Sequence, residues 1–282
     1  MNTINKVIER MRSIDSMAGV GIDPVISRIP STIWREVGSK DVAAAIELFC
    51  KKVIDVTSSC VVDYKINSSF FMTSEGRKAL ENTFTYLRDN YPEVVRICDG
   101  KFGDVEHTAS EIASYVFDVL DADAVLINPY LGYDAVRPFV ERADKAVVLC
   151  INTSNPSARE IQDVVTKDGI PLWRHVLKLA MTKWNFNGNI IPVVSATHIS
   201  NLVGIREIIG DMPVVLAGIG SQGGSLREAL PHVLTPDGYG AMISSSRGII
   251  YPETKPGQDY WETVADKANK LRDDIRNLKR SA

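Results

Sequence analysis

The stretch VVRICDGKFGDVEHTASEIASYVFDVLDADAVLINP, residues 94–129, contains two short apolar runs separated by a charged turn and an amphipathic segment. The runs VVRICDGK (94–101) and AVLINP (124–129) are nearly all apolar rather than alternating, which is typical of parallel strands buried on both faces. Residues 107–120 between them have helical spacing. The stretch therefore predicts a strand, a crossover helix and a second, parallel strand.

The same alternation continues along the whole chain. Further apolar runs lie at 17–23, 61–67, 146–152, 190–197, 214–220 and 239–246, and further helical spacing at 41–56, 75–90, 133–143, 171–186, 198–210, 225–233 and 259–280. Eight strands, each followed by a helix, are typical of an α/β fold of the (β/α)8 TIM-barrel type. Residues 2–14 predict an extra N-terminal helix. No linker interrupts the pattern, so we expect residues 1–282 to form a single TIM-barrel domain, although the length alone also allows two domains.

Composition limits the partners of the protein. Of its 282 residues 45% are hydrophobic, and 32 Lys and Arg balance 35 Asp and Glu to a net charge of −3. This balance argues against general nucleic-acid binding, which requires a basic excess, so a bound anion needs a local site. No apolar run reaches the roughly 18 residues of a membrane-spanning helix, and the start MNTINKVIERMRSID is unlike a signal peptide. We expect a cytoplasmic protein without membrane association.

The four cysteines are Cys50, Cys60, Cys98 and Cys150. They are widely spaced and show no CxxC or Cys/His ligand spacing. We predict buried free thiols, with a nucleophile or a metal site as the alternative.

Polar residues concentrate at the carboxyl ends of the predicted strands, where a barrel carries its chemistry. The densest cluster contains Asp99, Lys101, Asp104 and Thr108, and Lys65 ends the preceding strand. Residues two apart on a strand share a face, so Asp99 and Lys101 are predicted to point together into the barrel mouth. Alternating charges keep such carboxylates ionised and such lysines protonated, which suits delivery of a proton to a carbanion. The alternative is a salt-bridge network at the barrel rim.

Two further clusters are candidates for binding. GIGSQGG (218–224) and SSSRG (244–248) follow the seventh and eighth runs, where barrels commonly bind phosphate, and contain Gln222 and Arg247 as donors. The alternative for them is a pair of glycine-rich turns. NTSNP (152–156) has neutral polar groups that suit the edge of a polar ring, but a helix-capping turn would have the same composition.

These motifs resemble those of the orotidine 5′-phosphate decarboxylase family, in its longer subgroup. The resemblance rests on VGIDP (20–24), DYKINSSFF (63–71), DGKFGDVEHT (99–108), NPYLGYD (128–134), TSNPSA (153–158), AGIGSQGG (217–224) and SSRGIIY (245–251). It implies a TIM barrel that needs no metal and no organic cofactor. It also implies conversion of orotidine 5′-phosphate to UMP and CO2, the final step of pyrimidine (UMP) biosynthesis, by a homodimer whose active sites are shared between subunits.

The resemblance assigns catalytic roles to a tetrad, Lys65, Asp99, Lys101 and Asp104. Lys101 would protonate C6 of the pyrimidine as CO2 leaves, and Asp99 would lie against the departing carboxylate. Substrate-binding roles are also implied: Asp23, Lys65 and Asn67 for the ribose, Ser154 for the pyrimidine amide, Gln222, Ser246 and Arg247 for the 5′-phosphate, and Asp104, Val105 and Thr108 for the site across the dimer interface.

Two other functions fit parts of this pattern. A magnesium-dependent sugar-phosphate decarboxylase or synthase of the same superfamily resembles it around Asp99, but would carry an acidic metal ligand near the position of Lys65. A non-catalytic nucleotide-binding barrel would need the phosphate and ring contacts, but has no use for a buried proton donor.

Overall fold

Eight parallel strands form a closed barrel in chain order in the computed structural model, which describes residues 1–38, 40–73, 76–219 and 223–280. The strands are β1 Ala18–Ile22, β2 Asp63–Asn67, β3 Val95–Phe102, β4 Ala124–Ile127, β5 Ala146–Cys150, β6 Ile190–Ser195, β7 Val214–Ala217 and β8 Ala241–Ser245. Each strand pairs with the next, and β8 pairs with β1 to close the barrel. The predicted (β/α)8 TIM barrel is confirmed, because the eight parallel strands close into one barrel and each coincides with a predicted apolar run, with β3 alone extending one residue beyond its run, to Phe102.

Helices surround the barrel. They are α1 Thr3–Ser13, α2 Ser31–Val37, α3 Val42–Thr57, α4 Gly76–Asn90, α5 Glu106–Ser114, α6 Tyr133–Val140, α7 Arg159–Gln162, α8 Leu172–Leu179, α9 Ile205–Ile209, α10 Leu226–Val233, α11 Arg247–Ile250 and α12 Tyr260–Lys279. The extra N-terminal helix is confirmed as α1. In the described ranges, none of these helices has the length and apolar character needed to cross a membrane.

Some helix predictions were wrong. The single helix predicted over 198–210 is a 3-10 turn, Ile199–Asn201, followed by the short α9, because Gly204 has a φ of +70° between them. The helices α2, α7 and α11 were not predicted. They have only 7, 4 and 4 residues, too few to show a periodic pattern, and lie in loops that follow strands.

The amino-terminal end of the barrel is closed by α1. Thr3 Oγ1 donates to the carbonyl oxygens of Asp123 and Asp144, and Lys6 Nζ lies 2.8 Å from Asp123 Oδ2. The buried Arg96 binds the same Asp123 carboxylate through two nitrogens, at 3.1 and 2.9 Å. This end is therefore filled by structural polar contacts, and the opposite end is left for ligands.

The four cysteines are free thiols. Burial raises the pKa of the Cys50 and Cys98 thiols to about 12, so these groups are unreactive. Buried thiols are confirmed for Cys50, Cys60 and Cys98, whereas Cys150 is partly exposed because it is the last residue of β5, where the barrel opens.

Candidate active site

Three charged side chains meet at the mouth of the barrel, on the adjacent strands β2 and β3. Lys65 Nζ lies 2.6 Å from Asp99 Oδ2, and Lys101 Nζ lies 2.8 Å from Asp99 Oδ1. We call Lys65, Asp99 and Lys101 the charged row. Asp99 is 1% exposed and the Lys65 side chain 18% exposed, while the Lys101 side chain is 55% exposed. Lys101 is therefore the member of the row that is most open to a ligand.

The charged row is stable in its ionised form. Burial by itself raises the pKa of Asp99, but the charges of Lys65 and Lys101 outweigh burial and hold that pKa below its ordinary value. Burial by itself lowers the pKa of Lys65, but Asp99 and Asp23 outweigh it and raise that pKa. Asp99 is thus a carboxylate and Lys65 an ammonium group at neutral pH.

Lys101 has an unusual backbone conformation. Its φ is +45°, in the left-handed region, and the pairing of β3 with β4 shifts register between Asp99 and Phe102. A left-handed conformation costs a residue with a side chain about 1–2 kcal/mol. Asp99 and Lys101 do point together, as predicted, but through this irregularity rather than through regular strand alternation. Backbone strain of this kind clusters at functional sites.

Asp104 is not part of the row within one chain. Its Oδ1 accepts a hydrogen bond from the Val105 N–H at 2.7 Å, and no ion pair joins it to a lysine in the described part of the chain. Val105 precedes α5 and is exposed, and Thr108 lies half-buried in the first turn of α5. These three residues lie in the segment that follows β3, and within the described residues no hydrogen bond or ion pair joins them to the row.

Two residues flank the row on the other side. Asp23 follows β1, and its buried Oδ1 has no hydrogen-bond partner among the residues described. Asn67 ends β2, and its Oδ1 accepts a hydrogen bond from the Ser69 N–H at 3.2 Å, which orients the side chain. Both lie at the ends of strands at the barrel mouth, and they are residues for which the family resemblance implies ribose contacts.

The loop that follows β5 is held by a residue that the sequence did not reveal, Gln162 of α7. Gln162 Nε2 donates to Thr153 Oγ1 at 2.8 Å, and its Oε1 accepts from the Thr153 N–H at 2.9 Å. Asn155 occupies the N-cap position of the following 3-10 turn, as the helix-capping alternative for 152–156 requires, but its side chain makes no capping hydrogen bond. Ser154 packs against Gly218 at the end of β7, and the loop lines a cavity of about 300 Å³. The local sequence does not indicate this role for Gln162, because a helix of four residues is too short to show a periodic pattern.

Two of the three predicted phosphate residues lie at the end of β8. Ser246 follows β8, and its Oγ fills the space beside Gly21, where a Cβ would be 1.8 Å away. Arg247 begins α11 and is exposed. The third predicted residue, Gln222, lies outside the described residues. Arg247 is therefore accessible at the mouth, whereas Ser246 is half-buried beside Gly21.

A second residue missed by the sequence reasoning is Asp63, two residues before Lys65 on β2. It is fully buried in the barrel interior. The sequence could have indicated that Asp63 is unusual, because it is an acidic residue inside the apolar run VVDYKIN (61–67).

Comparison with known proteins places this site in a family. Residues 39–260 match the family model described as "Orotidine 5'-phosphate decarboxylase / HUMPS family". The chain belongs to this family. The matched region contains the charged row and strands β2 to β8, whereas Asp23 precedes it.

Individual relatives are similar to this chain over nearly its whole length. An orotidine 5′-phosphate decarboxylase of Janthinobacterium sp. (strain Marseille) is 35% identical over 275 residues, which cover 98% of each chain. One from Cellvibrio japonicus (strain Ueda107) is 34% identical over 275 residues, again 98% of each chain. The solved structure of Leishmania donovani OMP decarboxylase superposes with a TM-score of 0.84 at 28% identity, covering 100% of both chains.

Proposed function

We propose that this chain decarboxylates orotidine 5′-phosphate to UMP and CO2, the last step in the synthesis of UMP, with the charged row as its catalytic centre. The observation that carries the proposal is the buried Asp99 carboxylate held between Lys65 and Lys101 at the barrel mouth of a family member. In the reaction the bond from C6 to the carboxylate breaks and CO2 leaves. The electron pair stays on C6, and a proton from Lys101 Nζ forms the new C–H bond.

The row stabilises the carbanion by charges that are already in place. Lys101 holds its ammonium group near the position where negative charge develops, and Asp99 fixes that group at 2.8 Å. Lys65 fixes Asp99 from the other side at 2.6 Å. A preorganised ammonium group needs no reorganisation when the charge forms, which is a large source of catalysis.

Substrate binding is assigned to the residues around the row. Asp23 and Asn67 would contact the ribose, Ser154 the pyrimidine amide, and Ser246 and Arg247, with Gln222, the 5′-phosphate. An arginine suits phosphate because its fork of donors matches the phosphate oxygens. Binding energy at the phosphate, remote from C6, then contributes to holding the ring against Lys101.

The two alternatives fit the site less well. A divalent cation is disfavoured beside Asp99, because two ammonium groups already lie 2.6 and 2.8 Å from its oxygens. A purely binding role gives no reason for the strained backbone of Lys101.

We also propose that two chains share their active sites. The rim that carries Asp104 also exposes apolar side chains, Val105, Tyr130 and Leu131, which suit a protein interface. Asp104 forms no ion pair with its own row within the described residues, so it is available to a second chain placed on this rim. A cytoplasmic location is supported by the four free thiols. The residues 1–282 are proposed to act as one domain, since the barrel elements span nearly all of them.

The activity test mixes purified protein with orotidine 5′-phosphate in EDTA and follows the ultraviolet absorbance of the ring. We expect turnover in the wild type and in Lys178→Ala, an exposed lysine on the outer helix α8, and loss of turnover in Lys101→Ala. Absence of wild-type turnover, or unchanged turnover in Lys101→Ala, contradicts the proposal. Turnover that requires added magnesium favours the metal-dependent alternative.

The shared site has its own test. Inactive Lys101→Ala and inactive Asp104→Ala chains are mixed and allowed to exchange subunits. Hybrid dimers contain one intact site, so statistical mixing restores about one quarter of wild-type activity. No recovery, when mass spectrometry shows that hybrids form, contradicts sharing.

A further inference from the structure

Asp63 places a buried carboxyl group inside the barrel, one layer below the charged row. The strand register aligns Gly19 of β1 with both Asp63 of β2 and Ser244 of β8. The Asp63 carboxyl group uses the space left by the missing side chain of Gly19, where a Cβ would lie 2.5 Å from Oδ2 and 2.8 Å from Oδ1. The glycine on β1 thus makes room for this carboxyl group.

The buried Asp63 carboxyl group has few hydrogen-bond partners. Ser244 Oγ donates to Asp63 Oδ1 at a long 3.5 Å, and Oδ2 has no hydrogen-bond partner within the described ranges. Barrel interiors are ordinarily filled by Val, Ile and Leu, which avoid the cost of burying a polar group. Packing therefore does not explain an aspartate at this position.

The cation that acts on Asp63 is Lys65 of the row. The two residues are two apart on β2, so their side chains share a face about 7 Å apart along the strand. The other residues level with Asp63 carry no charge, since they are Gly19 on β1, Ser244 on β8 and Val95 on β3. Burial raises the pKa of Asp63 to about 7, against the opposing effects of Lys65 and Ser244.

We propose that Asp63 is a positioning residue that acts on the reaction through Lys65, an inference that rests on the proposed decarboxylation. When Asp63 is neutral, the Lys65 ammonium group interacts with the carboxylates of Asp99 and Asp23 and with no charge on Asp63. When Asp63 loses its proton, its carboxylate competes with Asp99 for that ammonium group. It also adds a negative charge below a site that binds an anion and forms a carbanion. The value of kcat/KM therefore falls as Asp63 ionises.

The test compares the pH profiles of kcat/KM for the wild type and Asp63→Asn between pH 5.5 and 9. Titration of the substrate phosphate affects both proteins equally, so the ratio of the two profiles is the readout. A unit charge about 10 Å from the reacting carbon, at an effective dielectric constant of about 20, changes a rate about tenfold. We expect the ratio of Asp63→Asn to wild type to rise about tenfold from pH 6 to pH 8.5.

Ser244→Ala provides a second, independent measurement. It keeps the Asp63 carboxyl group and removes a hydrogen bond that lowers the pKa of Asp63, so the alkaline fall in kcat/KM moves to higher pH. If the wild type, Asp63→Asn and Ser244→Ala are all active and their pH profiles of kcat/KM coincide, the proposed role of Asp63 is wrong. The proposed decarboxylase function is not affected by that result. If Asp63→Asn fails to fold, an unshifted profile of Ser244→Ala overturns the role of Asp63. Lack of turnover in the wild type refutes the decarboxylase function itself.

Discussion

We expect the free energy of unfolding to depend on pH because Asp63 titrates. We expect the substitution Asp63→Asn to remove this part of the pH dependence. The carboxyl group has an ordinary pKa of 3.8 and a folded-state pKa of about 7, raised by burial. Between pH 3.8 and about pH 7, the folded protein therefore keeps a proton on Asp63 that the unfolded chain has already released. Stability from this group is fully present below pH 3.8 and is lost as the pH rises through about 7.

The size of the loss in stability follows from the difference between the folded and unfolded pKa values of Asp63. The two pKa values differ by about 3 units, and each unit corresponds to about 1.36 kcal/mol, so the whole loss is about 4 kcal/mol. Nearly 3 kcal/mol of it falls between pH 5 and pH 8 by the same relation. Asparagine has a similar volume and does not titrate, so its effect on stability from packing is the same at each pH.

The assay is urea unfolding followed by tryptophan fluorescence, at pH 5, 6, 7 and 8, for the wild type and Asp63→Asn. We expect the stability of Asp63→Asn relative to wild type to increase by about 3 kcal/mol across this range. Asp123→Asn is a matched control, because it also removes a buried carboxylate but lies at the other end of the barrel. A difference between wild type and Asp63→Asn that stays within about 1 kcal/mol from pH 5 to pH 8 refutes the reasoning.

Three other predictions concern the barrel and the site. Asp123→Ala leaves the buried Arg96 guanidinium without its carboxylate, so we expect the free energy of unfolding to fall by about 3–5 kcal/mol in urea titrations. Gln162→Ala frees the loop after β5, so KM for the substrate should rise about tenfold while kcat changes little, as measured from initial rates. Lys65→Met leaves the buried Asp99 with a single cation, which raises the pKa of Asp99; the acidic fall of kcat/KM should then move to higher pH.

The strands could be predicted well because their signal is local. Each is short, buried on both faces and written as a continuous apolar run, and the helix that follows shows its own period. The helix over 198–210 failed as a prediction because one glycine at 204 has a positive φ that apolar spacing does not reveal. The short α7 was missed for a related reason, since four residues make barely one turn. The function of Gln162 was missed along with it.

Sequence alone determined the order of strands and helices, the barrel fold and the identity of the charged residues, because each of these depends on neighbours along the chain. Tertiary structure decided which charges meet: it paired Lys65 with Asp99 across two strands, while Asp104 forms no ion pair with either lysine among the described residues. It also brought Ser244 to Asp63 over 181 residues of chain. That contact exists only because β8 pairs with β1 and closes the barrel. Burial inside the closed barrel raises the pKa of the Asp63 carboxyl group, a property that cannot be read from the presence of an aspartate in the sequence.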